Sequence, residues 1–292
     1  MINDLIPEQW RDYELLDCGN QKKLEKFGPN ILIRPEPEAI WSSKLSNDEW
    51  HGSANAIFEH DTSGKGKWKT FENCKKSWRV NFGVPAFKIS CEAKLGRFKN
   101  IGLFPEQAPQ WEYIHDSIKS MGQKRPKVIN LFAHTGLSSI VAAKAGAEVY
   151  HVEGAKPFIS WANENAELNK VSNIHWVLED VIKFLKREQK RGHFYHGVIA
   201  DPPSFGSGPG KEKWVLETHL PLLIQAINNL LAPEKHFLVL NTYGHYLSPN
   251  TLYTLVQSTL RQTKSPETGM LTLKSNEDHY LTMGTYLRHR NF

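Results

Sequence analysis

The sequence predicts an α/β fold: a largely parallel sheet preceded by a small, mainly antiparallel β domain. Two observations predict it. After Pro126, apolar runs alternate with longer helical stretches, a pattern that forces parallel strands joined by right-handed crossovers. Before Phe104, helical periodicity is scarce, and short polar–apolar alternation rich in Trp and Gly dominates. The chain therefore divides into residues 1–103, a small β-rich domain, and residues 104–292, an α/β domain.

In the first part, Asn30–Arg34, Ala56–Phe58, Lys67–Phe71, Ser77–Phe82 and Phe87–Glu92 read as strands, and Asp61–Gly66 as a turn. In the second part, Lys127–Phe132 is the first strand, followed by a helix from about Leu137 to Ala145. Glu148–Glu153 is the second strand. The next helix has Pro157 in its first turn, where proline is favoured. Ile174–Leu178 is the third strand, Val181 to about Lys190 a helix, and Phe194–Ala200 the fourth strand. Leu216–Leu231 is a helix closed by Ala232–Pro233, and His236–Thr242 is the fifth strand. A helix near Pro249–Thr259 leads to a closing strand pair, Met270–Leu273 and Tyr280–Leu287.

Composition sets bounds. The 292 residues suit one large domain or two small ones. No apolar run approaches the ~18 residues of a membrane span, and the N-terminus lacks a secretory pattern. Cys18, Cys74 and Cys91 are an odd, scattered set without C-x-x-C, which argues against disulfides or zinc and for a reducing cytoplasm. None of the 13 histidines forms a ligand cluster, so no metal is expected. A net charge of +5 permits a polyanionic partner.

Three strand ends carry the chemistry. The first runs into His134–Thr–Gly136, where a glycine lets the backbone pass close to a ligand at a helix N-terminus. One glycine suits a pyrophosphate poorly. The second ends in Glu153, 17 positions after Gly136, near the spacing expected of an acid that grips ribose hydroxyls. Glu179–Asp180 ends the third, where Asp180 can meet an adenine amine, cap the next helix, or do both. The fourth runs into Asp201–Pro–Pro–Ser–Phe205. Proline has no N–H, so this loop offers oxygens and few donors, a surface for an amine or ring nitrogen. Phe205 adds a face for a base.

Phe132–Ala–His–Thr–Gly136 and Asp201–Pro–Pro–Ser–Phe205 resemble the F-x-Y-T-G turn and D-P-P-x-F loop of the ribosomal RNA large-subunit methyltransferase group. That group belongs to the class I S-adenosylmethionine-dependent methyltransferases. The resemblance covers residues 100–292 and implies a Rossmann-like, mostly parallel seven-strand sheet. It also implies S-adenosylmethionine as cofactor, held by Phe132, Thr135, Gly136, Glu153, Gly154, Asp180 and Asp201. Gly102–Gln107 resembles a segment that closes over the cofactor, with Gln107 as its contact. Catalysis is expected from Asp201, Pro202, Pro203 and Phe205. His134 stands for the usual Tyr, Leu137 for a common second Gly, and Glu153 for the usual Asp.

No cysteine follows the fifth strand, so the thiolate adduct needed to methylate pyrimidine carbon 5 is not expected. An RNA base nitrogen is the expected acceptor. The alternatives are a protein side chain or small molecule, or an RNA-binding module with a decayed cofactor site. Gly206–Lys213 reads either as a mobile lid or as a plain surface loop, and His245 either faces the acceptor or is a solvated loop histidine. Between Thr62 and Asn100, ten Lys and Arg face two Glu, and Trp68, Phe71, Trp78, Phe82, Phe87 and Phe98 interleave. Strand alternation allows either stacking platforms for RNA or inward aromatics under solvated lysines.

Overall fold

A computed structural model describes residues 3–8, 10–60, 66–210, 212–243, 247–260 and 266–292. Residues 61–65 of the expected turn, Lys211 of the lid and His245 lie outside them. The chain forms two compact units. One comprises residues 1–5, 108–271 and 283–292; the other comprises 6–107 and 272–282. The division after Gln107 falls four residues beyond the boundary expected at 103, and the stretch 272–282 returns to the first half.

The unit of residues 6–107 opens with strands β1 (Tyr13–Gly19), β2 (Lys22–Phe27) and β3 (Asn30–Pro35). Helix α1 (Asn47–Ser53) follows, started by a capping box in which Ser46 and Glu49 satisfy each other's backbone N–H. β4 (Ala56–His60) and β5 (Gly66–Thr70) complete a five-stranded sheet in sequence order. Within this sheet, among the described residues, β3 and β4 are the parallel pair. Trp50 of α1 packs on Leu24, Ile33 and Ile57. β6 (Ser77–Val84) and β7 (Phe87–Lys94) make a separate antiparallel ribbon. Trp78, Phe82 and Phe87 are buried there, with Trp10 against Phe82 at 5.0 Å. For these three rings the alternation resolves to aromatics in and cations out.

The other unit begins with α2 (Ala108–Ser120), then β8 (Lys127–Leu131), α3 (Leu137–Ala145), β9 (Glu148–Glu153) and α4 (Lys156–Leu168). β10 (Ile174–Leu178), α5 (Val181–Lys190) and β11 (Gly197–Ala200) continue it. A short ribbon of β12 (Phe205–Ser207) and β13 (Lys213–Val215) precedes α6 (Leu216–Asn228). β14 (Phe237–Thr242), α7 (Pro249–Thr259), β15 (Glu267–Lys274) and β16 (Tyr280–Arg290) close the chain.

The seven-stranded sheet runs β10–β9–β8–β11–β14–β16–β15. The pairs β10–β9, β9–β8, β8–β11 and β11–β14 are parallel, and β16 is antiparallel to β14. This is the mostly parallel seven-strand sheet the sequence predicts. β11 and β14 are buried at every position, as strands covered on both faces require. Leu220, Leu223, Ile224 and Ile227 of α6 and Phe184 and Leu185 of α5 pack on that sheet. Strand order reverses between β8 and β11, so the crevice at their carboxyl ends is where an open α/β sheet binds ligands.

Candidate active site

Register puts the candidate residues in one row. Ala200 pairs with Leu131, Leu131 with Val152, and Glu153 with Leu178. Asp201, Phe132 and Glu153 are therefore side by side at the tips of β11, β8 and β9. Backbone bonds extend the ladder beyond the strands: Asp201 N–H to Leu131 O at 3.3 Å and Ala133 N–H to Val152 O at 3.2 Å. Strands lie about 4.8 Å apart, so the backbones at Glu153 and Asp201 are separated by roughly 10 Å along the sheet edge.

The turn after β8 is unusual. Phe132, His134 and Gly136 have φ of 56°, 47° and 84°, alternating left-handed residues within five positions. Non-glycine residues pay about 1–2 kcal/mol for that conformation, and such strain gathers at functional sites. Gly136 is the N-cap of α3, and a Cβ there would come within 3.0 Å of the Ala162 methyl. Glu153 braces the turn: its carboxylate accepts from the backbone N–H of His134 at 3.0 Å and of Ala155 at 2.9 Å. Burial raises its pKa, opposed by the N–H donors of Ala155, His134 and Gly154. With about four lone-pair sites and three N–H donors, the carboxylate keeps a site for a ligand hydroxyl.

Beneath the turn lies a buried polar chain that sequence reasoning missed. Asn130 Nδ2 donates to Ser139 Oγ at 2.9 Å, and Ser139 Oγ lies 3.1 Å from His151 Nδ1. Burial, and then neighbouring His134, depress His151 to about 3. Burial alone lowers His134 to about 4, and its ring sits 4.0 Å from Phe158. Buried Asn165 donates to the Thr135 carbonyl at 2.9 Å. Its signal was available: Asn165 sits beside Ala162 and Ala166 on the apolar face of α4.

Asp180 caps α5, its Oδ1 accepting from Lys183 N–H at 3.0 Å. Its Oδ2 would lie 3.1 Å from a Cβ on Gly208. Thus the loop after Phe205 runs past Asp180, and Pro209 approaches Gly154 in the same way. Glu212 holds the loop, accepting from Gly210 N–H at 2.8 Å and pairing with Lys183. Glu179 pairs with Arg187 instead.

Trp214, on β13, ties the turn after β8 to the Asp201–Phe205 segment. Its indole N–H donates to the Pro203 carbonyl at 2.6 Å, and its ring packs 4.7 Å from Phe132. Ser204 Oγ donates to the Tyr243 carbonyl, and Leu216 N–H to the Ser204 carbonyl at 3.0 Å. Pro202 is buried, whereas Pro203 and Phe205 are exposed, Phe205 to 73%. Register and loop contacts thus bring together Phe132, Thr135, Gly136, Glu153, Gly154, Asp180 and the Asp201–Phe205 segment. Gln107 falls in the other unit, buried at the end of the 3₁₀ turn Pro105–Gln107.

A crystal structure of an S-adenosylmethionine-dependent methyltransferase from Agrobacterium tumefaciens is 33% identical to this chain. It covers 98% of this chain and 93% of its own, with a TM-score of 0.90. The chain belongs to the class I S-adenosylmethionine-dependent methyltransferases. No family model matches it. Ribosomal RNA large subunit methyltransferase K/L of Syntrophotalea carbinolica is 31% identical over 188 residues, 63% of this chain and 24% of that protein. Ribosomal RNA large subunit methyltransferase I of Photobacterium profundum is 38% identical over 92 residues, 30% of this chain and 23% of that protein. The chain spans about a fifth to a quarter of the length of the curated relatives it matches.

The cofactor of this family is S-adenosylmethionine, and the residues present fit it. A carboxylate at the β9 tip suits ribose, and the N-terminus of α3 behind Gly136, whose first backbone N–H groups have no partner within the helix, suits a carboxylate. Asp180 Oδ2, the oxygen not used in the cap, suits an exocyclic amine.

Proposed function

We propose that this methyltransferase places a methyl group directly on a nitrogen of an RNA base, with no covalent enzyme adduct. The observation that carries this reading is the Asp201–Pro–Pro segment at the switch point, one strand from the Gly136 turn. S-adenosylmethionine supplies an electrophilic methyl on a cationic sulfonium. The protein's part is positioning. Glu153 and Asp180 orient the ribose and adenine, and the Gly136 turn receives the methionine carboxylate. Asp201 accepts a hydrogen from the acceptor amine and takes its proton as the N–CH3 bond forms and the S–CH3 bond breaks. Phe205 gives the base a face.

RNA as substrate is supported by the ribosomal RNA methyltransferases among the relatives and by the exposed cations of residues 66–100. The reading assigns RNA recognition to the β-rich unit and Gln107 to closure over the cofactor. Three free thiols suit a reducing cytoplasm.

The thiols support the direct step. Cys18, Cys74 and Cys91 all belong to the β-rich unit. Burial pushes Cys18 up to about 11 and also raises Cys74, so neither offers a ready thiolate. A folded triple Cys→Ala variant keeps wild-type turnover on total RNA. Loss of turnover with cofactor binding intact would overturn the direct step.

A further inference from the structure

The stretch from Gly66 to Asn100 divides its aromatics. Trp78, Phe82 and Phe87 turn inward, but Phe98 is 63% exposed and Phe71 36%. An exposed phenylalanine is ordinary when its loop is loose. The loop carrying Phe98 is anchored. Lys94 N–H closes its base on the Ile101 carbonyl at 3.2 Å. The Trp68 indole N–H donates to the Phe98 carbonyl itself at 3.1 Å. Arg34 donates to the Lys99 carbonyl at 3.3 Å, and Lys99 Nζ to the Pro35 carbonyl at 3.2 Å.

Those anchors are costly. Arg34 is buried against Glu25, with Arg34 Nη2 2.6 Å and Tyr13 Oη 3.1 Å from the carboxylate. Lys23 joins Glu36 at 3.1 Å beside them. Burial draws the Lys99 ammonium below its usual range. Buried ion pairs seldom add net stability, but they fix geometry when every partner is present. Here the fixed object is a loop tip that holds Arg97 and Phe98 in solvent. Along the adjacent strand, Lys67 and Lys69 are exposed, and Lys69 Nζ lies 5.6 Å over the Phe71 ring.

We propose that this tip and strand β5 form a docking surface for unpaired RNA: a base stacks on Phe98, and Arg97, Lys67 and Lys69 take phosphates. This rests on the reading of RNA as the substrate. Rigid aromatics flanked by cations suit a single strand, whose bases are free to stack; a duplex hides those faces. The charge sign favours RNA, since Arg97 and the two lysines outnumber the nearby exposed acids Glu72 and Glu59, the latter directly across from Lys67.

The test is titration of the full chain with a fluorescent unpaired oligoribonucleotide and with the same sequence as a duplex, from 50 to 200 mM salt. Calorimetry with S-adenosylmethionine verifies each variant. Phe98→Ala weakens the unpaired strand roughly 5- to 150-fold with an unchanged salt slope, and Phe98→Tyr restores it. Arg97→Ala lowers the log–log salt slope by about 0.7. If the wild type binds the oligoribonucleotide and Phe98→Ala binds it equally well, this surface is wrong while the RNA reading stands. If the wild type binds neither RNA at 50 mM salt, the RNA reading itself fails.

Discussion

The backbone N–H of His134 donates to the Glu153 carboxylate at 3.0 Å, while the carboxylate's other oxygen accepts from Ala155 at 2.9 Å. One side chain therefore holds the strained turn after β8 and the start of α4. In the proposed complex it also grips the ribose. An aspartate, shorter by a methylene, would reach fewer of these groups.

Glu153→Gln should weaken S-adenosylmethionine roughly 10- to 150-fold, the worth of a charge-assisted hydrogen bond of about 1.5–3 kcal/mol. It should also lower thermal stability, because the turn loses part of its brace. Titration calorimetry and a melting curve read the two effects. Unchanged affinity would remove Glu153 from the cofactor site and leave it as a brace alone.

Asp201→Asn should cut turnover about 10²- to 10⁴-fold and leave cofactor affinity within tenfold. The split separates its two expected roles. A parallel loss of affinity would make Asp201 mainly a cofactor residue.

Trp214→Phe keeps a ring against Phe132 but removes the N–H that holds the Pro203 carbonyl. The expected result is a lower kcat, little change in cofactor affinity, and a stability loss of about 0.5–1.5 kcal/mol. Trp214→Leu, which loses both contacts, should damage kcat and affinity together. Steady-state kinetics on both variants distinguish the contributions.

His134 and His151 are depressed to about 4 and about 3. Their neutral forms belong to the folded state, so the unfolded chain binds more protons at low pH. Their contribution is complete above the unfolded value near 6.5 and is lost as pH falls through 4 to 3. Glu153, raised by burial, acts in the opposite direction. The clean comparison is therefore between proteins: His151→Gln should show a smaller drop in urea midpoint from pH 7 to pH 5 than the wild type.

The sheet was legible because its strands are continuous apolar runs ending in marked residues, as Gly197–Ala200 into Asp201 shows. The small unit was read less fully. Tyr13–Gly19 and Lys22–Phe27 bury Asp17, Lys23 and Glu25, so charged residues occupy positions where the pattern calls for apolar ones. Helix α1 went unread although Ser46 and Glu49 announce it, because seven residues are too short to show a period. The lid residues Gly206–Lys213 include the ends of a ribbon, β12 and β13, and Trp214 of that ribbon packs on Phe132, a contact distant in sequence. Helix α6 ends at Asn228, before Leu231, where Leu230 and Leu231 stay buried as loop residues.

The central claim is direct methyl transfer to a base nitrogen of RNA. Its most direct test incubates the full chain with S-adenosylmethionine labelled on the methyl group, total RNA, and a protein extract in a separate reaction, followed by nucleoside analysis. The account predicts label in RNA, on a nitrogen-methylated base. Label on pyrimidine carbon 5, or in protein alone, would contradict it.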